Sequence, residues 1–241
     1  MPQTMSDSIS KLPKIVAIDG PAASGKTTIA KILADRWDYL FFDTGVMYRA
    51  VTYLAIKRKI STKDEEAITA LAEEIQIDVK PASLDDGREY DVIADGADLT
   101  WEIRKPKVDS KVSLVSAYPG VRKALTRQQR RIGLRGKVIM VGRDIGTVVL
   151  PEADLKIFLD ASVKERARRR FEQRAQRGEN PDFSKILKIL QKRDRIDSTR
   201  EVAPLKAAED AIQVNTDDLD IDQVVTRIEM LAQEIEAKRD E

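Results

Sequence analysis

Short apolar runs of strand length recur along this chain and alternate with segments of helical pattern. The runs lie at residues 14–18, 39–42, 137–141, 155–159 and 211–214. Each is followed by a segment in which apolar residues are three and four positions apart, which is typical of an amphipathic helix. This alternation predicts an α/β fold whose core is a five-stranded parallel sheet with helices on both faces.

The interval between the second and third runs, residues 43–136, is too long for a single crossover and predicts an insertion. Residues 74–80 and 88–99 alternate apolar and polar positions around turn glycines, which predicts a small antiparallel sheet. Residues 106–133 predict two helices broken at Pro119-Gly120. We therefore expect the chain to divide as follows: a core over 14–60 and 134–241, an inserted region over 61–133, and a flexible start over 1–13.

Charge is balanced overall but uneven along the chain. The formal net charge is +1, yet residues 61–105 carry five Lys or Arg against thirteen Asp or Glu. Residues 164–200 have the opposite bias, with thirteen basic and six acidic side chains in a segment of helical composition. These charges fit either a solvated pair of helices or a basic helical hairpin, within residues 162–200, that provides cationic partners for bound phosphates.

Composition removes several kinds of chemistry. The 241 residues include no cysteine and no histidine, which excludes disulfides, Cys/His zinc sites, thiol nucleophiles and imidazole catalysis. The start of the chain lacks the pattern of a secretion signal, and no apolar run approaches the roughly 18 residues of a spanning helix. We therefore expect a cytoplasmic protein.

A glycine-rich loop follows the first predicted strand and precedes a helical pattern. It matches G-x-x-x-x-G-K-[ST] at Gly20, Gly25, Lys26 and Thr27, in the context that this motif requires. Backbone N–H groups of such a loop surround phosphates, the lysine bridges the β- and γ-phosphates, and the Thr hydroxyl is a Mg²⁺ ligand. The loop alone is shared by GTPases, transport ATPases and small kinases. A GTPase would also carry D-x-x-G, and no Asp of this chain has Gly three positions later.

Polar residues follow two other predicted strands. Asp43 and Thr44 come directly after the second strand, with Arg49 a few residues later, and Arg143 and Asp144 come after the third. The carboxyl ends of parallel strands meet at one edge of the sheet, where ligands bind in open α/β folds. The sequence therefore predicts a second phosphate site beside the glycine-rich loop.

Five segments together resemble the bacterial cytidylate kinases, which are nucleoside monophosphate (NMP) kinases. They read IDGPAASGKTT, FDTGVMYRAV, SLVSAYPGVRKAL, GRDIGTVVLPEADLKIFLDAS and RDRIDSTREVAPLKAAEDAI. The resemblance implies a P-loop kinase core with strand order 2-3-1-4-5, an NMP-binding insertion and a helical lid. It also implies Mg²⁺-dependent transfer of the γ-phosphoryl group of ATP to CMP or dCMP, giving CDP or dCDP and ADP in pyrimidine nucleotide metabolism.

The resemblance also assigns roles to side chains of this sequence. The catalytic cations would be Lys26, Arg49, Arg143 and Arg200. ATP would be held by the loop and by two lid arginines, namely Gly20, Pro21, Ala22, Ala23, Ser24, Gly25, Lys26, Thr27, Thr28, Arg166 and Arg170. The NMP would be held at its α-phosphate by Thr44, Arg49 and Arg143, at cytosine by Ser113, Arg122 and Asp144, and at ribose by Arg193 and Asp197, with Arg200 near the phosphates.

Three alternatives stay open on sequence alone. A kinase of the same build could use UMP, AMP or a small alcohol as acceptor. A nucleic-acid-binding protein could use the basic segment 164–200, although Phe171 and Phe183 are its only aromatic residues and no series of stacking platforms results. An assembly protein could carry a degenerate loop. We expect a monomer that binds small nucleotides and has neither nucleic acid nor membrane as a partner.

Overall fold

The computed structural model describes residues 12–239, so most of the predicted flexible start lies outside the described residues. The strands in chain order are β1 (Ile15–Asp19), β2 (Leu40–Asp43), β3 (Ile77–Pro81), β4 (Tyr90–Ala94), β5 (Ala97–Asp98), β6 (Val138–Gly142), β7 (Leu155–Asp160) and β8 (Ile212–Asn215). The helices are α1 (Lys26–Trp37), α2 (Gly45–Lys57), α3 (Glu65–Glu74), α4 (Pro106–Val115), α5 (Pro119–Gly133), α6 (Val163–Gln176), α7 (Phe183–Thr199) and α8 (Ile221–Arg239).

The core is one five-stranded sheet in the order β2-β6-β1-β7-β8, with every neighbouring pair parallel. In terms of the core strands alone this is 2-3-1-4-5, so the predicted fold is confirmed. All five residues of β6 are buried, as expected of a strand with neighbours on both edges and helices above and below. The centre of the sheet is therefore fully inside the molecule.

Each core strand extends one residue beyond its apolar run. The added residues are polar or glycine, and they still pair across the sheet, as Asp19 does with Gly142 and Asp43 with Val141. Hydrophobicity marks the buried length of a strand, whereas backbone pairing continues to the edge. The carboxylates of Asp19 and Asp43 are therefore placed at the carboxyl edge of the sheet.

The connection from β6 to β7 differs from the expected helix. A five-residue π-helical turn, Ile145–Val149, replaces it, and the Asp19 carboxylate accepts the N–H groups of Ile145 and Gly146 at 2.8 and 2.7 Å. These bonds satisfy two backbone donors that would otherwise be orphaned at the start of the turn. The chain can therefore cross from one side of β1 to the other in few residues.

The inserted region contains the predicted small sheet, in the order β3-β4-β5, with both pairs antiparallel. Its local acidic charge is organised around one cation, because the Arg88 guanidinium contacts Asp86, Asp91 and Asp98 at 2.7 to 2.8 Å. The sheet joins the core through the Tyr90 ring, which lies 5.5 Å from that of Phe41. The two helices predicted over 106–133 are α4 and α5, and Pro119 is the first residue of α5, where no N–H is needed.

The basic segment folds as the helical pair α6 and α7. Ser162 and Asp182 cap the two helices by accepting backbone N–H groups of Glu165 and Lys185 at 3.3 and 3.0 Å. A small apolar cluster of Ala22, Ala167, Ile186 and Leu190 lies between the pair and the glycine-rich loop. The pair therefore stands directly over that loop. Across residues 12–239, no helix combines the length and apolar character needed to cross a membrane.

Candidate active site

The glycine-rich loop passes very close to the neighbouring strand β7. Gly20 has a φ of +148°, and a Cβ at this position would lie 2.0 Å from the carbonyl oxygen of Leu159. Gly25 has a φ of +92° and is the residue immediately before α1. Only glycine fits at position 20, because any side chain would collide with β7. At position 25 glycine adopts the positive φ at the least conformational cost. The loop is thus shaped so that its backbone N–H groups and the start of α1 surround one small volume.

Lys26 is buried at the base of this loop, with 5% of its surface exposed. Its Nζ donates to the carbonyl oxygen of Pro21 at 2.6 Å and to Ser24 Oγ at 3.3 Å. Burial, followed by the charge of Arg143, holds the pKa of Lys26 well below its usual range, while Asp43 and Asp19 act in the opposite direction. A buried ammonium with too little negative charge around it would be strongly stabilised by a bound phosphate.

A cleft of about 1170 Å³ opens over the loop. Its walls are residues 22–29 of the loop and α1, the facing sides of α6 and α7, and the segment 216–222 between β8 and α8. Arg170 and Arg193 line it, whereas Arg166 does not. A nucleoside triphosphate can lie here with its phosphates on the loop and the α6–α7 pair above them, since a volume of this order accepts a ligand of that size.

Three cations converge on one region: Arg143 directly after β6, Arg193 on α7, and Lys26 at the end of the loop. Arg143 Nε donates to Asp197 Oδ2 at 3.0 Å, and Arg193 Nε lies 4.0 Å from the same carboxylate oxygen. Burial and then the charge of Arg143 lower the pKa of Arg193, although 56% of its side-chain surface is exposed. Lys26 and Arg193 line the cleft, and Arg143 is close enough to lower the pKa of both, so the three cations form a region suited to an anion.

A second cluster lies beside the first and contains Arg122, Asp144, Arg200 and Tyr48. Arg122 Nη2 and Asp144 Oδ2 form a buried ion pair at 2.7 Å, and Arg200 Nη2 lies 3.5 Å from Asp144 Oδ1. The Arg122 guanidinium lies 5.5 Å from the centre of the Tyr48 ring, and its Nε is buried without a protein partner. The pKa of Arg200 is lowered by burial and then by Arg122. This cluster has both donor and acceptor groups, as recognition of a polar base requires.

Arg49 points toward α4. Its Nη1 donates to the carbonyl oxygen of Ile103 at 3.2 Å and forms an ion pair with Asp109 Oδ1 at 2.5 Å. Its charge contributes to the lowered pKa of Arg193, so the two groups lie within electrostatic reach of each other. Arg49 is therefore at the margin of the cationic region and is partly neutralised by an acid.

Thr44 and Ser113, also predicted to bind the NMP, differ in how close they lie to the edge of the sheet. Thr44 is buried at the start of α2, and its hydroxyl donates to the carbonyl oxygen of Val141 at 3.0 Å. Ser113 is exposed on α4, and its hydroxyl has no protein hydrogen-bond partner among the described residues. The structure therefore brings Thr44 to the sheet edge beside β6 and leaves Ser113 on a separate helix.

Arg166, one of the two lid arginines predicted to hold ATP, has its donors occupied by protein. Nε donates to the Ala161 carbonyl oxygen at 2.8 Å, Nη1 donates to that of Ala22 at 3.0 Å, and the guanidinium forms a two-point contact with Asp194 at 3.0 and 2.6 Å. Arg170 is exposed, with one hydrogen bond to Gln173 at 2.7 Å. Of the two predicted lid arginines, Arg170 has free donors facing the cleft.

Three acidic residues with structural roles in the site were missed by sequence reasoning. Asp19 holds the turn after β6, Asp194 pairs with Arg166, and Asp109 pairs with Arg49. Asp19 carried a usable signal, because it is a charged residue directly between a buried strand and the glycine-rich loop. Asp109 and Asp194 carried none, because they are ordinary acids within helices and only the packing of distant segments reveals their partners.

Known cytidylate kinases are similar to this chain along most of its length. The family model described as cytidylate kinase matches residues 16–234. The cytidylate kinase of a Geobacillus species is 49% identical over 213 residues, covering 88% of this chain and 93% of that protein. The cytidylate kinase of Bacillus licheniformis is 46% identical with the same coverage, and that of Anoxybacillus flavithermus is 47% identical over 91% of this chain and 96% of that protein. The chain belongs to the cytidylate kinase family.

Proposed function

We propose that the cleft and the cationic region beside it hold ATP and CMP end to end, so that the γ-phosphoryl group passes directly between them. As a cytidylate kinase the chain phosphorylates CMP, and also dCMP, with ATP as donor. The observation that best supports the proposed alignment is the convergence of Lys26, Arg143 and Arg193, because two phosphate chains that repel each other need such a cluster to meet.

On the donor side the loop backbone and Lys26 hold the β- and γ-phosphates. Thr27 is exposed in the first turn of α1, and its hydroxyl has no protein partner in the part of the chain described. Within residues 12–239 no group of three or more carboxylates is arranged for a metal, so Thr27 and the phosphates would be the ligands of Mg²⁺. When bound, Mg²⁺ neutralises charge on the transferred group.

On the acceptor side Thr44, Arg49 and Arg143 hold the α-phosphate of CMP. This phosphate is already ionised at neutral pH, so it can attack the γ-phosphorus in line without a general base. The absence of histidine from the chain is therefore no obstacle. Arg200, next to Asp144, would balance the charge that gathers as the two phosphates approach each other.

The buried pair of Arg122 and Asp144 is suited to cytosine. A carboxylate accepts from the exocyclic N4 amino group, and an arginine donates to N3 or O2, whereas uracil would set its O4 against the carboxylate. The unpartnered Nε of Arg122 is a donor of this kind. Ser113 would complete the base contacts, and Asp197 with Arg193 would contact the sugar. An unmatched polar contact costs on the order of 1–3 kcal/mol, which gives a preference for CMP over UMP.

The α6–α7 pair is proposed as the lid over ATP. Closure of a basic lid, with Arg170 directed at the phosphates, would exclude water and so suppress hydrolysis of ATP. We further infer that the protein acts as a monomer in the cytoplasm. Its net charge of +1 gives it little overall attraction for nucleic acid.

The proposal is tested by an ATP-consumption assay with Mg²⁺ and with CMP, dCMP, UMP and AMP in parallel. We expect CMP and dCMP to be the best acceptors, UMP to be weaker, and AMP to be inactive. Lys26→Ala should lower kcat by about 100-fold or more while circular dichroism stays unchanged, because it removes a cation from the transferred phosphate. Equal use of AMP and CMP, or full activity of the Lys26 variant, would contradict the proposal.

A further inference from the structure

The Arg49 guanidinium is anchored on one side by a single short segment of the inserted region. Both groups that contact its Nη1, the Ile103 carbonyl oxygen at 3.2 Å and the Asp109 carboxylate at 2.5 Å, lie within residues 103–109. Ile103 is fully buried, and Asp109 is in the first turn of α4. The anchor is therefore built on a fixed backbone and on the beginning of a helix.

The opposite edge of the same guanidinium has free donors. Within residues 12–239, Nε and Nη2 of Arg49 donate no hydrogen bond to protein. An arginine binds a phosphate best through two parallel N–H groups on one edge, and Nε with Nη2 is such an edge. The contacts made by Nη1 thus fix the plane of the guanidinium without using the donors that a phosphate needs.

Asp109 also opposes a repulsion among the cations of the site. Arg49 and Arg143 both lower the pKa of Arg193, so these positive groups are close enough to repel one another. An unpaired Arg49, 32% exposed, would be pushed outward and would sample many rotamers. The negative charge of Asp109 keeps Arg49 at the margin of the cationic region. The side chains of α2 and α4 are held together by this ion pair.

We infer that Asp109 is a positioning residue for the acceptor: it holds Arg49 so that the Nε–Nη2 edge meets the α-phosphate of the nucleoside monophosphate. This inference rests on the proposed role of Arg49. Asp109 does not contact the substrate, so its effect is on the affinity for CMP and not on ATP or on the transfer step. Because α4 also carries Ser113 one turn further on, the same ion pair sets the distance between the phosphate clamp and the helix proposed to face the base.

The test is steady-state kinetics of Asp109→Ala and Asp109→Asn. For Asp109→Ala we expect KM for CMP to rise roughly threefold to tenfold, because the ion pair is partly solvated and its coupling is moderate. The kcat value and KM for ATP should stay within about twofold of the wild type. The KM for CMP of Asp109→Asn should lie between those of the wild type and Asp109→Ala. The amide oxygen of Asn can accept a hydrogen bond from Nη1 of Arg49 but carries no charge.

Two further variants separate the possible failures. Glu102→Ala breaks a comparable exposed ion pair, at 2.6 Å, with Lys105 of the same segment and should leave KM for CMP unchanged. When Arg49 is already replaced by Ala, the further substitution Asp109→Ala should cause no additional rise in KM for CMP. If Arg49→Ala raises KM for CMP and Asp109→Ala does not, or lowers it, the inference about Asp109 is wrong. If Arg49→Ala itself has no effect, both this inference and the proposed phosphate clamp are wrong. A loss of thermal stability without a change in KM would make Asp109 merely structural and would also overturn the inference.

Discussion

Asp19, the last residue of β1, accepts the backbone N–H of Gly146 with Oδ2 at 2.7 Å and so ties the strand that feeds the glycine-rich loop to the turn that follows Arg143. Its Oδ1 accepts from Ile145 at 2.8 Å. Only 5% of Asp19 is exposed, and burial raises the pKa of its carboxyl to about 6 even though the two N–H groups act in the opposite direction. One buried carboxylate therefore fixes the relative positions of the donor and acceptor halves of the site.

Asp19→Asn is expected to destabilise the protein by about 1–3 kcal/mol, because the amide NH₂ would face one of the two N–H donors and leave it unpaired. The loss should depend on pH. The folded protein binds a proton at Asp19 more tightly than the unfolded chain does, since the pKa is raised from 3.8 to about 6. The contribution of Asp19 to the free energy of unfolding is thus largest below the ordinary pKa and is lost as the pH rises through about 6.

Denaturant unfolding of the wild type and of Asp19→Asn, at pH values from below 3.8 to above about 6, measures the difference in their free energies of unfolding. The wild type should lose stability relative to Asp19→Asn as the pH rises. Asp64→Asn is the matched control, because Asp64 is an exposed helix cap that accepts one N–H, from Ala67 at 3.0 Å. It should change stability by less than about 1 kcal/mol, since Asn caps helices as well as Asp. A difference between wild type and Asp19→Asn that is constant with pH would contradict the assignment.

Gly20→Ala should both distort the loop and strongly weaken ATP binding. The added Cβ would lie 2.0 Å from the Leu159 carbonyl oxygen, and backbone cannot move as a side-chain end can. We expect a loss of more than about 2 kcal/mol in unfolding free energy together with a large rise in KM for ATP. Gly96→Ala is the control, because Gly96 has a φ of +80° but no atom within 4 Å of the new Cβ. It should cost only the conformational strain of about 1 kcal/mol and leave KM for ATP unchanged. Equal effects of the two substitutions would show that close approach to β7 is unimportant.

What could be predicted from the sequence is what depends on neighbouring residues. The five core strands and the glycine-rich loop are encoded in local runs of apolar residues and in motif spacing, and the resemblance to cytidylate kinases added the order of the sheet. The sequence pattern predicted a helix after β6, where the structure has a short π-helical turn. That turn could not be predicted from local sequence, because it is stabilised by Asp19, which is far away along the chain. The partner of a charged side chain depends in the same way on how separate helices pack.

Asp144→Asn should relax the choice between cytosine and uracil. The Asn amide can donate to uracil O4, which the carboxylate of Asp144 would repel, so the ratio of kcat/KM for CMP over UMP should fall by about tenfold or more. Asp197→Asn is the control within the same region, because Asp197 pairs with Arg143 at 3.0 Å and is proposed to contact the sugar. It should lower kcat/KM for both nucleotides and leave their ratio unchanged. An unaltered ratio in Asp144→Asn would place recognition of the base elsewhere.

The contact between Arg166 and Asp194 is expected to hold the lid at the correct height over ATP. Arg166 is buried and joins α6, the Ala22 carbonyl oxygen of the loop, and Asp194 on α7. Asp194→Ala would leave this guanidinium without its counter-charge, which should cost about 2–4 kcal/mol of unfolding free energy. KM for ATP should rise severalfold because α7 is no longer tied to the loop.

The direction in which KM for ATP changes distinguishes two possible roles of Asp194. If Asp194 instead held Arg166 back from a phosphate, Asp194→Ala would release the arginine and KM for ATP would fall. Glu172→Ala provides the comparison, because it breaks an exposed ion pair within α6 whose arginine, Arg168, still pairs with Glu165. An exposed pair of this kind contributes less than about 1 kcal/mol, so neither stability nor KM should change appreciably. The guanidinium of Arg166 already has protein partners for Nε, Nη1 and Nη2, so it is not held back from a phosphate. We therefore expect KM for ATP to rise in Asp194→Ala.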